Sequence, residues 1–216
     1  MINKVVKSVI AHIIGEERLK NIAASYREDS SISYTRFPYL VETGWARSFD
    51  SGEPMNQQGE PLPWLTYPFI QFLEPRLKKS FDLFEFGSGS STAYFSSRVN
   101  SVTSVEHDIE WYNKLKDQLS GNVRLIYQTL EVKGAYSMTA TQAKSRFNII
   151  LIDGRNRVNC CLNCIPSLAR DGVVVLDDSE RIAYESGINH LLDSGFRRLD
   201  FWGISPGLTY LKCTSL

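Results

Sequence analysis

Phe81-Asp82-Leu83-Phe84-Glu85-Phe86-Gly87-Ser88-Gly89-Ser90-Ser91-Thr92 reads as a strand running straight into a glycine turn and then into a helix. Phe81 to Phe86 is a short apolar run closed by glycine, the pattern of a buried strand. Glycines at 87 and 89 let the backbone come close to a bound molecule where a side chain would collide with it. The competing account is an ordinary tight turn with Glu85 a surface acid.

Outward from this stretch, strands and helices alternate. Apolar runs recur at Ser101 to Glu106, Val123 to Tyr127, Phe147 to Ile152 and Gly172 to Leu176. Segments of helical length separate them: Ser91 to Arg98, Ile109 to Leu119, Val158 to Ala169 and Arg181 to Asp193. Strands spaced by helices imply parallel βαβ units. Ahead of the first strand, Thr66 suits a helix cap and Pro68 a first turn, for a helix ending near Leu77. At the other end, Phe196 to Trp202 and Leu208 to Cys213 are separated only by a short Ser-Pro-Gly turn and should pair antiparallel. The expected fold is α/β: a doubly wound, mostly parallel seven-stranded sheet with a C-terminal antiparallel hairpin, over residues 61–216.

Residues 1–60 read as a helical and irregular cap. Val5, Val6, Val9, Ile10, Ile13 and Ile14 recur at helical spacing within an amphipathic helix from about Lys4 to Arg27. Either the body of the protein or a second copy would cover that face, the latter giving a homodimer through this helix. His12 interrupts the apolar stretch and no small-residue cleavage site follows, which argues against a signal sequence. Phe37 to Pro61 carries Gly44, Gly52, Pro54 and Gly59, so an irregular cover is expected. The aromatic stretch from Tyr34 to Trp64 is a candidate substrate-side lid.

Composition narrows the function classes. Apolar residues are 43% and charged residues 22% of 216, ordinary for a globular chain. Lys plus Arg equals Asp plus Glu at 24 each, so no long-range field favours a polyanion and nucleic acid is not the expected partner. No apolar run reaches the roughly 18 to 20 residues that span a bilayer. Cys160, Cys161 and Cys164 lack the second ligand pair of a zinc site and are expected to pack within a helix. Without a spaced disulfide framework, the cytoplasm is the expected compartment.

Two ligand classes use a glycine turn of this kind. A dinucleotide fingerprint, G-x-G-x-x-G, needs a third glycine where this chain has Thr92. S-adenosylmethionine brings an ammonium and a carboxylate instead of a pyrophosphate, which gives an acid beside the turn an electrostatic use, and Glu85 stands two residues before Gly87. About 20 residues on, Val105-Glu106-His107-Asp108 ends the second strand, where a carboxylate can accept both ribose hydroxyls of an adenosine ligand. These residues resemble the class I S-adenosylmethionine-dependent methyltransferases over roughly residues 61–216, including the terminal hairpin. The resemblance implies that Glu85, Gly87 and Gly89 line the methionine end and that Glu106 holds the ribose. It also implies that Ser88, Ser90, Ser91 and Thr92 offer hydroxyls and amides to the carboxylate or, through water, to the amine. His107, beside Glu106, is expected to pack near the adenine. Within that family the chain is similar to small bacterial proteins with Pro-Trp-Leu-Thr-Tyr before the first motif. Trp64, Thr66 and Tyr67 accordingly fall where related enzymes cap the cofactor.

Ligands of open parallel sheets lie beyond the carboxyl ends of the strands, and here the fourth and fifth strands end in Asp153-Gly154-Arg155-Asn156-Arg157 and Asp177-Asp178. Three readings stay open. Asp153, Asp177 and Asp178 could bind Mg2+ or another divalent cation that orients and acidifies a substrate hydroxyl. This is similar to the cation-dependent O-methyltransferases, except that Asp178 stands where they have asparagine. Alternatively Asp153 acts as general base while Arg155 and Arg157 grip an anionic part of the substrate, with Asp153, Arg155 and Asp177 as the catalytic group. In the third, these charges satisfy one another. The expected activity is methyl transfer to a small or glycan-type acceptor, most naturally at oxygen. A nucleotide-dependent oxidoreductase or epimerase and a cofactor-binding protein without turnover are the alternatives.

Overall fold

A computed structural model describes residues 37–130 and 134–216. Nearly all of these belong to one unit, Tyr39–Leu216. The expected helix from Lys4 to Arg27, its homodimer contact and the beginning of the lid lie outside the described residues.

Seven strands form one sheet: β1 (Asp82–Phe86), β2 (Ser101–Glu106), β3 (Val123–Tyr127), β4 (Phe147–Ile152), β5 (Leu168–Asp177), β6 (Asp200–Gly203) and β7 (Lys212–Ser215). Their order is β3-β2-β1-β4-β5-β7-β6. The first five are mutually parallel, and β7 runs antiparallel between β5 and β6. The sheet is therefore the doubly wound arrangement with a terminal antiparallel hairpin. Its direction of winding reverses between β1 and β4, the place where such sheets open a crevice.

Register brings the site residues level with one another. Phe86 pairs with Val105 on one side and with Ile152 on the other, and Ile152 pairs with Leu176. The residues that leave the strands at their carboxyl ends, Gly87, Glu106, Asp153 and Asp177, thus emerge side by side. The strands hold this register because both faces are buried: Phe84, Phe86, Phe147 and Tyr136 meet edge-on or tilted beneath the crevice, with ring centroids 4.8 to 5.6 Å apart. Cys160, Cys161 and Cys164 are fully buried in the same cluster, unbridged, and burial pushes the Cys161 and Cys164 thiols up to about 12. They pack as small apolar side chains.

Several elements depart from the expected boundaries for identifiable reasons. The stretch expected to be irregular contains two short helices, α1 (Pro38–Glu42) and α2 (Trp45–Ser51). Gly44 and Gly52, at φ 81° and 73°, cap α2 rather than interrupt it. Pro166 ends the expected long helix early, leaving α7 (Arg157–Cys164) and a 3-10 turn before β5. Both hairpin strands are shorter and later than expected. The Trp45 indole donates to Leu208 O at 2.8 Å and the Trp64 indole to Pro206 O at 2.9 Å, so the connecting residues serve as anchors and not as strand. The remaining helices are α3 (Tyr67–Leu73), α4 (Ser90–Ser96), α5 (Ile109–Leu115), α6 (Ala135–Gln142) and α8 (Glu185–Asp193).

Candidate active site

A cleft of about 730 Å³ opens over the carboxyl ends of β1, β2 and β4, within the roughly 300 to 1,000 Å³ of small-molecule sites. One wall is the glycine turn, the other comes from Gly52, Pro54, Pro61 and Trp64, and Glu106 and Asp153 stand on its floor.

The turn is shaped by two glycines with different duties. Gly87 adopts φ 92°, and a Cβ there would come within 2.8 Å of the Gly154 Cα. A Cβ on Gly154 would in turn fall 2.9 Å from Gly87 N and 2.2 Å from the Tyr136 hydroxyl. The two backbones touch, and that contact fixes the ends of β1 and β4 together. Gly89 is different: its backbone is extended, and a Cβ would meet only the edge of Trp111, at 4.0 Å. Its bare face looks into the cleft.

Glu85 lies beneath the turn, out of the cleft and fully buried. Ser91 and Thr92 both donate to its carboxylate, Thr92 at 2.6 Å, and Thr92 Oγ1 also accepts from Gly89 N–H at 3.0 Å. Burial pushes the Glu85 carboxyl from 4.5 to about 7, against the pull of the Ser91, Thr92 and Ser104 hydroxyls. Of the expected turn residues, Ser88, Gly89, Ser90 and Ser91 line the cleft, whereas Glu85 and Thr92 support it from below.

Glu106 ends β2 with its carboxylate at the cleft. Oε2 accepts from the Ser88 amide at 3.2 Å and the Ser88 hydroxyl at 2.9 Å, while Oε1 accepts from the amides of His107 and Asp108 at 2.7 and 2.9 Å. His107 also lines the cleft, its Nδ1 2.8 Å from Glu106 Oε1. Trp111, which sequence reasoning missed, belongs here as well. Its indole N–H donates to Ser88 O at 2.8 Å, and its half-exposed ring forms part of the wall. Asp108 caps α5 through the amides of Glu110 and Trp111, which turns Trp111 towards the glycines. The signal was available: an aromatic in the first turn of the helix that follows the second-strand acid.

Beyond β4 and β5 the charges are largely consumed by one another. Arg157 Nη2 donates to Asp153 Oδ1 at 2.9 Å, and Nη1 stands 3.4 Å from Asp178 Oδ2. Lys212, buried on β7 and not anticipated, contacts both Asp177 and Asp178, the latter at 3.0 Å. Thr214 adds a hydrogen bond to Asp177 at 2.8 Å, and Arg181 reaches Asp178 at 2.6 Å. The expected metal set is thus left without support. The three acids face three cations, every carboxylate oxygen but Asp153 Oδ2 is engaged, and among the described residues no group of three His, Cys, Asp or Glu could hold a metal ion. Asp177 is part of this structural network as much as Asp178. Of the expected pair of arginines, Arg157 is bonded to the aspartates while Arg155 is not.

Asp153 and Arg155 remain in the cleft. Asp153 gives Oδ1 to Arg157, and among the described residues Oδ2 has no hydrogen bond. Burial and the nearby Asp177 carboxylate push the Asp153 carboxyl up, against Arg157 and Lys212. Arg155 is exposed at the rim and among the described residues its guanidinium has no partner. Thr66 and Tyr67 do not line the cleft. The Thr66 hydroxyl donates to Phe201 O at 2.9 Å and its amide donates to the Thr214 hydroxyl oxygen at 3.1 Å, tying α3 to the hairpin, and Tyr67 packs edge-on against Tyr39. Trp64 does line it.

No family profile matches the chain, and comparison with curated sequences returns no match. Solved structures do match. A precorrin 8W decarboxylase from Methanobacterium thermoautotrophicum aligns with TM-score 0.53 and 14% identity over 76% of this chain and 95% of its own. A precorrin-6y C5,15-methyltransferase from Geobacter metallireducens gives 0.53 and 13%, over 68% and 85%. A methyltransferase-like protein from Silicibacter pomeroyi gives 0.50 and 19%, over 73% and 89%. With its strand order and terminal hairpin, the chain has the Rossmann-like fold of the class I S-adenosylmethionine-dependent methyltransferases.

Proposed function

We propose that this protein transfers a methyl group from S-adenosylmethionine to a hydroxyl of a small or glycan-type acceptor. The observation that carries the reading is Glu106. A carboxylate at the end of β2 opens onto a ligand-sized cleft, and its Oε2 already accepts an alcohol donor, the Ser88 hydroxyl at 2.9 Å. A ribose hydroxyl presents the same chemistry to the same atom.

The residues present fit the cofactor. Gly89 offers a surface without a side chain, Trp111 and His107 offer ring surface for an adenine, and Ser88, Ser90 and Ser91 offer hydroxyls at the methionine end. Glu85 acts through Ser91, whose hydroxyl donates to it and so keeps its own lone pairs turned towards an ammonium donor. When bound, S-adenosylmethionine supplies an electrophilic methyl carbon next to a positive sulfur. The protein supplies alignment, held by the contact between Gly87 and Gly154, and a base. Asp153 Oδ2, free of hydrogen bonds among the described residues, would take the proton of the acceptor hydroxyl. Arg157, at the edge of the same cleft, holds Asp153 in place.

The rival reading is a dinucleotide-dependent oxidoreductase or epimerase. Against it stands Thr92, buried and bonded to Glu85 in the place of the third fingerprint glycine. Calorimetric titration separates the two. S-adenosylmethionine is expected to bind with micromolar affinity and NADH not at all, whereas binding of NADH alone would reverse the assignment. Binding of S-adenosylmethionine with no transfer to any acceptor would leave a cofactor-binding protein.

A further inference from the structure

The acceptor end of the cleft has a chemistry of its own, and we infer that it is a carbohydrate subsite in which the Trp64 ring carries the apolar face of a pyranose. The inference rests on the methyl-transfer reading for its role, though not for its geometry. Trp64 is 44% exposed and lines the cleft, while its indole N–H is taken by Pro206 O. The ring is thus pinned by its polar edge and presents its face.

Trp64 belongs to the acceptor side. Its carbonyl accepts from Lys212 Nζ at 3.1 Å, and Lys212 is the partner of Asp177 and Asp178 at the end of β5. Glu106 is on β2, three strands away in the order β2-β1-β4-β5, which at about 4.8 Å per strand is on the order of 14 Å. One bound molecule can therefore have its adenosine at Glu106 while another meets Trp64.

The charged groups that the same wall and the end of β4 bring to the cleft select the class of ligand. These are Glu53, Asp153, Arg155 and Arg157, two carboxylates and two guanidiniums, so no net charge favours an anionic or cationic acceptor. Glu53 and Arg155 are both exposed, and among the described residues neither side chain has a partner. Free acceptors and free donors beside an aromatic face match a neutral molecule with a C–H face and a rim of hydroxyls, each of which both donates and accepts. A flat phenolic ring would use the tryptophan face and leave Glu53 and Arg155 idle.

Saturation-transfer NMR with methyl glycosides of glucose, galactose, mannose and N-acetylglucosamine, and with catechol as the aromatic control, tests this. S-adenosylhomocysteine is added in a parallel arm. Transfer to ring C–H protons of at least one glycoside is expected in the wild type, with loss in Trp64→Ala and partial retention in Trp64→Phe. Coincident circular dichroism spectra of the three proteins certify their folding. Transfer to catechol but to none of the glycosides, or glycoside binding unaffected in Trp64→Ala, would overturn the subsite. Failure of S-adenosylhomocysteine to bind the wild type would instead sink the methyl-transfer reading, and glycoside signals dependent on Trp64 would still stand on their own.

Discussion

Glu85 is held where its ionised form is least at home, fully buried and met by neutral hydroxyls alone, those of Ser91, Thr92 and Ser104. Its folded-state value, about 7, lies above the ordinary 4.5, so the folded protein keeps a proton that the unfolded chain releases. Stability therefore falls as pH rises from about 4.5 to about 7, by a contribution of about 3 kcal/mol. Glu85→Gln cannot ionise and should lack this fall. Urea denaturation at pH 5 and pH 8 checks it, and parallel pH dependences in the two proteins would refute the assignment. The sequence marked Glu85 as special but assigned it to the methionine end directly. Alternation along β1 hides the reason: in a parallel sheet covered on both faces, a strand residue next to the turn points into the core.

At the level of elements, the β1 turn and the end of β4 form one device. Gly89→Ala adds a methyl to open space in an unstrained backbone, so stability should stay within about 0.5 kcal/mol while S-adenosylmethionine binding weakens at least about tenfold. Gly154→Ala places a methyl into the Tyr136 hydroxyl and the Gly87 backbone, and should cost about 1 to 3 kcal/mol of stability. Equal effects of the two substitutions on stability, measured by urea denaturation, would contradict the division of duties between the two glycine contacts. Strand and helix succession was legible because hydrophobic period and glycine punctuation are local signals. The hairpin boundaries were not, since they depend on Trp45 and Trp64 claiming carbonyls more than 140 residues away in the chain.

For the molecule as a whole, most of the proposed cofactor half of the site lies in one contiguous run, Glu85 to Glu106, with His107 and Trp111 just beyond it. The proposed acceptor half draws on residues 52–64 and the end of β4, backed by the ion pairs between the end of β5 and Lys212 on β7. Pairing of Asp177 and Asp178 with Lys212 spans about a sixth of the chain and leaves no local pattern, which is why a metal centre and an ionic network were equally readable in the sequence. Among the described residues no helix is long and apolar enough to cross a membrane. Glu106 is the proposed anchor of the adenosine. Calorimetric titration of S-adenosylmethionine into wild type and Glu106→Ala, with circular dichroism as the check on folding, tests it most directly. Loss of hydrogen bonds to a charged acceptor, about 1.5 to 3 kcal/mol, predicts affinity roughly 10- to 100-fold weaker in the variant. An affinity unchanged in a folded Glu106→Ala protein would contradict the account.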